Sequence, residues 1–420
     1  MAQTAVKTAK VDAKTETKRE VRDQVSRDDF ISHVPVKLVD EMILRAFSQK
    51  TSDIHIEPAE HDCRVRIRVD GDLLILGRYK KEIHEETIAR LKVLSSLRTD
   101  VRNVAQDGRF KVAVSGNMVS VRLSIVPSFF GEKCVLRLLP HTLHTHTFES
   151  LGFSEANIKG ILNALGSAHG MVLVVGPTGS GKTTTLYTLL QKISRPEVAT
   201  VTLEDPIEYS LPGITQIPIH QGNTSMTFVS ALRAVVRQDP DVIMVGEIRD
   251  SATAELSTQA ALTGHLLLST LHTNDAVTGV VRLIDMGIEP FLVASTVRAI
   301  ISQRLVRKMC QKCAVEKKIS QSEIEFLKKH GNGGNVPDML RSGCGCVECR
   351  NTGFSGRTVI SEVLLVDEKI REHIMQKASG DELKESAIKN GMVPLIQDAV
   401  RKVINGETTI EEIASHHHEF

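Results

Sequence analysis

Residues 171–183 read Met-Val-Leu-Val-Val-Gly-Pro-Thr-Gly-Ser-Gly-Lys-Thr, and this stretch decides the fold. An apolar run leads into the pattern Gly-x-x-x-x-Gly-Lys-Thr, after which apolar residues recur with helical spacing. A strand, a glycine loop and a helix in that order are what a phosphate-binding P-loop requires. The backbone N–H groups of such a loop cradle phosphate oxygens, and the helix N-terminus adds partial positive charge. The alternative is a glycine loop of no function between a strand and a helix.

The residues of this motif predict a nucleotide site. The expected nucleotide-binding residues are Gly176, Pro177, Thr178, Gly179, Ser180, Gly181, Lys182, Thr183 and Thr184. Lys182 is expected to reach the β- and γ-phosphates, and Thr183 to offer its hydroxyl to Mg²⁺. The sequence therefore predicts ATP and Mg²⁺ as the ligands of this segment.

Length and composition limit the classes of protein that this chain fits. A chain of 420 residues is long for one core, so we expect two to three domains. Lysine plus arginine total 52 against 51 acids, and there is no tryptophan, so neither charge nor aromatic content indicates direct nucleic-acid binding. No apolar run approaches the roughly 18 residues of a membrane span. Seven cysteines in a chain without a secretory leader indicate thiols or metal ligands in a cytoplasmic protein.

The first third of the chain predicts a tail and a small domain. Residues 1–29 are polar and charged and are expected to form a flexible tail. Two runs of alternating polarity turn at Asp70-Gly71 and at Gly116-Asn117, which predicts two antiparallel hairpins. Apolar spacing predicts a helix over 84–97. Together these elements predict a small α+β domain over 30–140.

The rest of the chain alternates buried strands with helices, which is typical of a parallel-sheet nucleotide domain. We divide it into a linker over 141–152, an α/β ATPase domain over 153–308, a cysteine-rich subdomain over 309–353 and a C-terminal helical segment over 354–420. The linker carries His141, His144 and His146. Solvated side chains are the preferred interpretation of these histidines, with metal binding as the alternative.

Acids follow the P-loop in two places. The apolar run Val242–Val245 is followed after one glycine by Glu247. A P-loop ATPase needs an acid at such a strand end to polarise the attacking water or to hold Mg²⁺ through water. Residues 202–208 place three acids around Pro206, and clustered carboxylates can complete a Mg²⁺ and water shell. The alternatives are a strand-end glutamate that faces solvent and a solvated turn.

Two histidines and two arginines are further candidates for phosphate contact. His265 and His272 bracket a third buried strand, where a histidine beside a phosphate can report its presence. Arg109 begins a predicted hairpin strand, and Arg122 lies in mid-strand opposite an apolar face. An arginine finger on a γ-phosphate is worth roughly 10³–10⁵ in rate. The alternatives are core histidines and surface arginines.

Four cysteines predict a structural metal site. They form two Cys-x-x-Cys pairs, Cys310 with Cys313 and Cys346 with Cys349. Four thiolates suit a closed tetrahedral Zn²⁺ site. The 32 residues between the pairs (314–345) leave room for a helix, which the capping box Ser320-x-x-Glu323 predicts. Four free buried thiols are the alternative, and Cys344 is either a spare thiol or a substitute ligand.

Taken in order, these motifs resemble the ATPase family of type II secretion and type IV pili. The matching segments are residues 52–58, 70–71, 106–109, 131–137, the P-loop, 202–208, 246–250, 264–273, 351–357 and 391–392. The resemblance covers about residues 35–415. It implies an α/β fold in which a RecA-like P-loop domain with a parallel sheet follows a small α+β, PAS-like domain and precedes a zinc subdomain and C-terminal helices.

The resemblance also implies catalytic roles for six residues of this chain. Glu247 activates water, Glu204 helps to position water or Mg²⁺, His265 and His272 sense the γ-phosphate, and Arg109 and Arg122 reach the nucleotide when the two domains close. The family forms homohexameric rings, so a homohexamer is implied here as well. Structural Zn²⁺, Mg²⁺ and ATP are the implied cofactors.

The function that the resemblance implies is a motor. ATP-driven closure would turn an inner-membrane platform protein for type IV pilus assembly or type II secretion, which places the chain in the cytoplasm at the inner membrane. Assembly and secretion members carry an extra N-terminal domain, and residues 1–29 are expected to substitute for it by folding on a partner. A retraction motor is the first alternative, which the four cysteines oppose. A DNA-handling ATPase or a nucleotide-gated scaffold is the second, which the neutral charge and the intact acids oppose.

Overall fold

The structure is a computed structural model that describes residues 30, 34–140, 146–219, 226–331 and 336–415. The chain forms two compact units, Met1–Thr142 and Leu143–Phe420. The predicted tail over 1–29 lies outside the described residues, as do His141 and His144 of the predicted linker. The finer division of the chain into domains stays a prediction.

The first unit is built around an antiparallel sheet. Its described elements are α1 (Pro35–Ser48), β1 (Asp53–Pro58), β2 (Asp62–Val69), β3 (Asp72–Lys80), α2 (His84–Leu94), β4 (Gln106–Val114), β5 (Asn117–Ser128) and β6 (Gly131–Pro140). The strand order is β3-β2-β1-β6-β5-β4. The structure confirms both predicted hairpins, with β2 paired to β3 and β4 paired to β5.

One face of this sheet is covered and the other is polar. Along β2, the apolar residues are buried and the arginines between them are only partly buried. This alternation is expected of an antiparallel sheet with one face on a core. The buried side chains of the strands pack with those of α1 and α2 in one core. The face away from the helices therefore carries the charged residues.

The second unit is built around a mostly parallel sheet. Its strands are β7 (Gly170–Val175), β8 (Thr200–Glu204), β9 (Thr215–Pro218), β10 (Val242–Val245), β11 (Leu266–Leu271), β12 (Val297–Met309), β13 (Ala314–Lys318), β14 (Met339–Gly343) and β15 (Phe354–Leu365). The main sheet runs in the order β15-β12-β7-β11-β10-β8-β9, and only the edge strand β15 pairs antiparallel. Cores on both faces bury β7, β10 and β11 completely. This mixed α/β architecture is the predicted fold class.

The helices of the second unit cover that sheet and continue to Ser415, the last residue that the structure describes. They are α3 (Phe148–Leu151), α4 (Glu155–Leu165), α5 (Lys182–Ile193), α6 (Phe228–Val235), α7 (Ser251–Leu262), α8 (Ala276–Asp285), α9 (Pro290–Thr296), α10 (Gln321–His330), α11 (Glu368–Met375), α12 (Gly380–Lys389), α13 (Leu395–Ile404) and α14 (Ile410–Ser415). Ser320 caps α10 through the predicted capping box. No helix in the described residues has the length and apolar content that a membrane crossing needs.

The predicted C-terminal helical segment begins with a strand. Residues Phe354–Leu365 form β15, which pairs along most of the length of β12. A buried apolar run of this kind has no helical period, and sequence alone does not separate a buried strand from a buried helix. The helices predicted for this segment start only at Glu368.

Candidate functional site

The P-loop joins the carboxyl end of β7 to the first turn of α5. Gly176, Gly179 and Gly181 all have positive φ, which other residues adopt only with strain. A Cβ on Gly176 would lie 2.6 Å from the carbonyl oxygen of Gln303 and 2.7 Å from Oγ of Ser180. Glycine at the first motif position is therefore required by close packing as well as by backbone conformation.

Lys182 lies at the N-terminus of α5 with its ammonium turned back onto the loop. Its Nζ donates to the carbonyl oxygens of Gly176 at 2.7 Å and Pro177 at 3.0 Å. Burial lowers the pKa of Lys182 to about 8; Glu247 opposes that lowering and Arg304 adds to it. Thr183, the predicted Mg²⁺ ligand, is exposed beside it. The loop therefore presents a cation and a hydroxyl where a phosphate would bind.

Glu247 lies just past the end of β10, on the edge of the sheet where the P-loop begins. Its side chain is 14% exposed, and one carboxylate oxygen accepts from Nε of Arg249 at 2.7 Å. The same oxygen lies 3.4 Å from Nε2 of His272, which follows the neighbouring strand β11. Because the carboxyl ends of parallel strands meet at one edge, the structure brings together Glu247, His272 and the P-loop.

Glu204 ends β8 and is buried, with 3% of its surface exposed. One oxygen accepts from Oγ1 of Thr202 at 2.6 Å and from Nε2 of Gln216 at 3.0 Å. The other accepts from the hydroxyl of Tyr187 on α5. Burial and the nearby carboxylate raise the pKa of Tyr187, so that the phenol stays protonated and donates. Three donors therefore fix the direction of this carboxylate.

His265 lies at the opposite end of the sheet from the P-loop. It precedes β11, a strand of six residues and about 20 Å, whereas His272 follows it. Nδ1 of His265 is 2.8 Å from the carbonyl oxygen of Ala260. The structure therefore separates the two histidines along the strand. The role of His265 as a γ-phosphate sensor stays a prediction.

Arg109 and Arg122 are neighbours in the first unit. They are directly opposite each other on β4 and β5, and both are exposed on the face that the helices leave open. Arg137 continues the row on β6 and pairs with Asp53 at 2.9 Å. Within the described residues, no ion pair neutralises Arg109 or Arg122. Like charges directly opposite on a sheet are destabilising, so this pair favours an anionic ligand.

The four predicted metal ligands form one cluster at the end of β12. Their Sγ atoms lie within 4.8 Å of one another, and the Sγ–Sγ distances of three pairs are 3.9, 3.7 and 3.7 Å. Four sulfurs at about 2.3 Å from a tetrahedral Zn²⁺ would be about 3.8 Å apart. Burial opposes ionisation of both Cys313 and Cys349; it raises the pKa of Cys313, whereas N–H donation from Cys346 and Gly353 lowers the pKa of Cys349. The donor set therefore fits Zn²⁺.

Cys344 lies outside the cluster, although it is two residues from Cys346. It is exposed, and its Sγ lies 3.8 Å from the carbonyl oxygen of Gly345. Its backbone N–H instead donates to the carbonyl oxygen of Cys313. The geometry therefore favours a spare thiol over a substitute ligand.

Sequence reasoning missed several residues that shape this site. Tyr187, Gln216 and Gln303 were not singled out, although each contacts the P-loop or one of its acids. Arg249 lies in the matching segment 246–250 but was given no role, and the structure pairs it with Glu247. Tyr187 and Gln303 carry no local signal, because their partners are 17 and 118 or more residues away.

Comparison with known sequences gives one family and many relatives. The family described as Type II/IV secretion system protein matches residues 31–415. The type II secretion system protein HxcR of Pseudomonas aeruginosa is 42% identical over 378 residues, which are 90% of this chain and 76% of that protein. The type IV pilus assembly ATPase PilB of Thermus thermophilus is 40% identical over 415 residues, which are 96% of this chain and 45% of that protein.

Solved structures give the same fold. The Legionella pneumophila ATPase DotB matches with a TM-score of 0.70 at 21% identity, over 94% of this chain and 98% of that one. The pilus retraction motor PilT with bound ADP matches with a TM-score of 0.62 at 26% identity, over 89% of this chain and 95% of that one. The match to DotB supports the fold alone.

Proposed function

Because the chain belongs to the family of type II/IV secretion system proteins, we propose that it hydrolyses ATP to power type IV pilus assembly or type II secretion. One observation carries the chemistry. The P-loop and Glu247 lie at the same edge of the parallel sheet, just beyond the ends of β7 and β10. An ATPase needs a phosphate cradle and an acid for water together.

The reaction follows from these residues. The P-loop and Lys182 bind the phosphates, and the hydroxyl of Thr183 is the expected protein ligand of Mg²⁺, which would neutralise charge on the β- and γ-oxygens. Glu247 orients a water and accepts its proton as the oxygen bonds to the γ-phosphorus. The bond to the bridging oxygen breaks, giving ADP and phosphate. His272, whose Nε2 lies 3.4 Å from Glu247, would donate to the γ-phosphate, and Glu204 lies one strand further along the edge.

The four-cysteine cluster would hold structural Zn²⁺. The ion would join the start of the cysteine-rich segment, at the end of β12, to its far end before β15. To test this, the zinc content of Cys313→Ser is compared with that of Cys344→Ser, the matched control. We expect Cys313→Ser to lose zinc and to melt at a lower temperature, and Cys344→Ser to keep both. The assignment would be contradicted if the purified wild-type protein contained no zinc.

The proposed assembly is a homohexamer that acts on an inner-membrane platform protein from the cytoplasmic side. PilB of Thermus thermophilus and HxcR of Pseudomonas aeruginosa, both about as similar to this chain, serve pilus assembly and type II secretion respectively. Arg109 and Arg122 are proposed to reach the nucleotide when the small domain closes on it. Light scattering with Mg-ATP tests the hexamer directly.

The decisive experiment counts surface pili by electron microscopy in a strain that lacks this gene. Loss of pili, restored by the wild-type gene but not by Lys182→Ala, supports assembly. An unchanged count with loss of an exported protein supports secretion. Excess pili would instead assign retraction, the second candidate, which the structural likeness to PilT favours. Hydrolysis that requires added DNA would contradict the proposal.

A further inference from the structure

A buried glutamine on β12 holds the P-loop from behind. Gln303 is fully buried, with 0% of its surface exposed. Its Nε2 donates to the carbonyl oxygen of Ser180 at 2.7 Å, and its Oε1 accepts from Oγ1 of Thr185 at 2.8 Å. One amide therefore ties the loop and the first turn of α5 to the neighbouring strand. Both partners are themselves buried, with 3% and 0% exposed.

The loop is seated directly on this residue. A Cβ on Gly176 would lie 2.6 Å from the backbone carbonyl oxygen of Gln303, and a Cβ on Gly181 would lie 3.2 Å from its Nε2. The glycines at both ends of the motif are therefore packed against one residue of β12. The Gly176 end of the loop packs on the backbone of Gln303, and the Ser180–Gly181 end packs on its side chain.

The bond to Ser180 sets the direction of a phosphate-binding N–H. In a trans peptide, the C=O and the following N–H point in opposite directions. Because the carbonyl of Ser180 points at Gln303, the N–H of Gly181 points away from β12. N–H groups at the end of a P-loop are those that face the phosphates.

We propose that Gln303 is a positioning residue that holds the P-loop in its phosphate-binding shape. The inference rests on the proposed function, because it assumes that the loop binds nucleotide. The site needs one donor and one acceptor on the same side chain, and glutamine supplies both. Without it, a buried carbonyl and a buried hydroxyl would lose their partners and the loop would rearrange to recover them.

The test compares two buried amides that are changed in the same way. Gln303→Met removes the amide at the P-loop with little change in shape. Asn157→Leu is the matched control, because Asn157 is a buried amide whose Nδ2 donates to Oγ and to the carbonyl oxygen of Ser361 on β15, away from the P-loop. The measurements are the dissociation constant of a fluorescent ADP analogue with Mg²⁺, the melting temperature, and kcat and KM for ATP.

We expect Gln303→Met to raise the dissociation constant and KM about tenfold, with kcat at saturation within about threefold of wild type. Gln303→Met and Asn157→Leu should lower the melting temperature by similar amounts, but Asn157→Leu should leave nucleotide affinity unchanged. Thr185→Val, which removes one of the two bonds, should raise the dissociation constant about threefold and add nothing when combined with Gln303→Met. This second variant also tests the contact if Gln303→Met fails to fold.

The results that would contradict this inference distinguish its failure from the failure of the proposed function. If wild type binds the analogue and both Gln303→Met and Thr185→Val bind it equally well, the positioning role of Gln303 is overturned, but the proposed ATPase function is not. If Asn157→Leu weakens binding as much as Gln303→Met, the effect is one of general stability and the positioning role is again overturned. If wild type binds no nucleotide, the proposed function falls and this inference falls with it.

Discussion

The two sheets of this protein place their chemistry differently. In the first unit, β2 buries every second residue, so that charged side chains lie along the middle of the strands on one open face. In the second, β7, β10 and β11 are buried along their whole length and contain no charged residue, so that the charged side chains of this region lie beyond the strand ends. The position of a charged residue relative to a strand end is therefore informative at these three strands, whereas its register with neighbouring strands is informative in the first unit.

The open face of the first sheet gives the largest expected effect. Arg109→Ala and Arg122→Ala should each lower kcat by about 10³–10⁵-fold, as loss of an arginine finger does. Steady-state hydrolysis of Mg-ATP measures this. Neither change should lower the melting temperature, because both side chains are exposed and repel each other. Removing one should relieve that repulsion.

Arg64→Ala is the control for this prediction. Arg64 lies on the same face but on β2, and it pairs with Glu57 at 3.2 Å. Its loss should leave kcat within about twofold of wild type, because its charge is already paired with Glu57. If all three alanine variants hydrolyse ATP alike, the face is a charged surface and the contrast between the two sheets loses its functional meaning.

The next largest effect on kcat is expected at Glu247, just past the end of β10. Glu247→Gln should lower kcat by about 10²–10⁴-fold, the usual contribution of a general base, while ATP binding persists. Binding of a fluorescent ATP analogue and steady-state turnover measure the two quantities. Glu255, whose side chain is exposed on α7, provides the control, and Glu255→Gln should keep full turnover. Normal turnover in Glu247→Gln would remove this acid from the mechanism.

The sequence predicted those parts of the site that depend on neighbours in the chain. The P-loop, the acid after β10 and the two Cys-x-x-Cys pairs each lie within a few residues, and their spacing alone identified them. The bonds of Tyr187 to Glu204 and of Gln303 to Thr185 join residues 17 and 118 apart. Such contacts depend on the order of strands in the sheet, which a single sequence does not reveal.

Side-chain burial was the other quantity that sequence left open. The acids at 202–208 were predicted as one cluster for Mg²⁺, yet Glu204 is buried among three donors while Asp205 is exposed. A carboxylate that already accepts three hydrogen bonds has little capacity left for a metal. The structure therefore favours water positioning over direct metal contact for Glu204, and this role stays a proposal.

A smaller effect is expected at the hydrogen bonds that orient Glu204. Tyr187→Phe removes one of the three donors to Glu204 and should lower kcat about tenfold, the worth of a hydrogen bond to a charged group at the low end. Tyr209→Phe is the control, because its ring packs edge-to-face on that of Tyr187 at 4.6 Å and loses the same hydroxyl. Equal kcat values in the two variants would mean that Glu204 needs no orientation.

The smallest expected effect is a pH dependence at the P-loop. The pKa of Lys182 is about 8, and only the charged ammonium attracts phosphate. Raising the pH from 7 to 8.5 should lower the charged fraction, and with it the affinity for Mg-ADP, about fourfold. Lys182→Ala should bind Mg-ADP more weakly and show no such dependence of affinity on pH.

The same group affects stability in the opposite sense. The ordinary lysine pKa lies above 8, so between pH 7 and 8.5 the unfolded chain binds more protons at Lys182 than the folded chain does. The contribution of Lys182 to stability therefore rises with pH. Relative to Lys182→Ala, the wild-type melting temperature should therefore rise with pH while its nucleotide affinity falls, and a parallel fall of both would place the titration elsewhere.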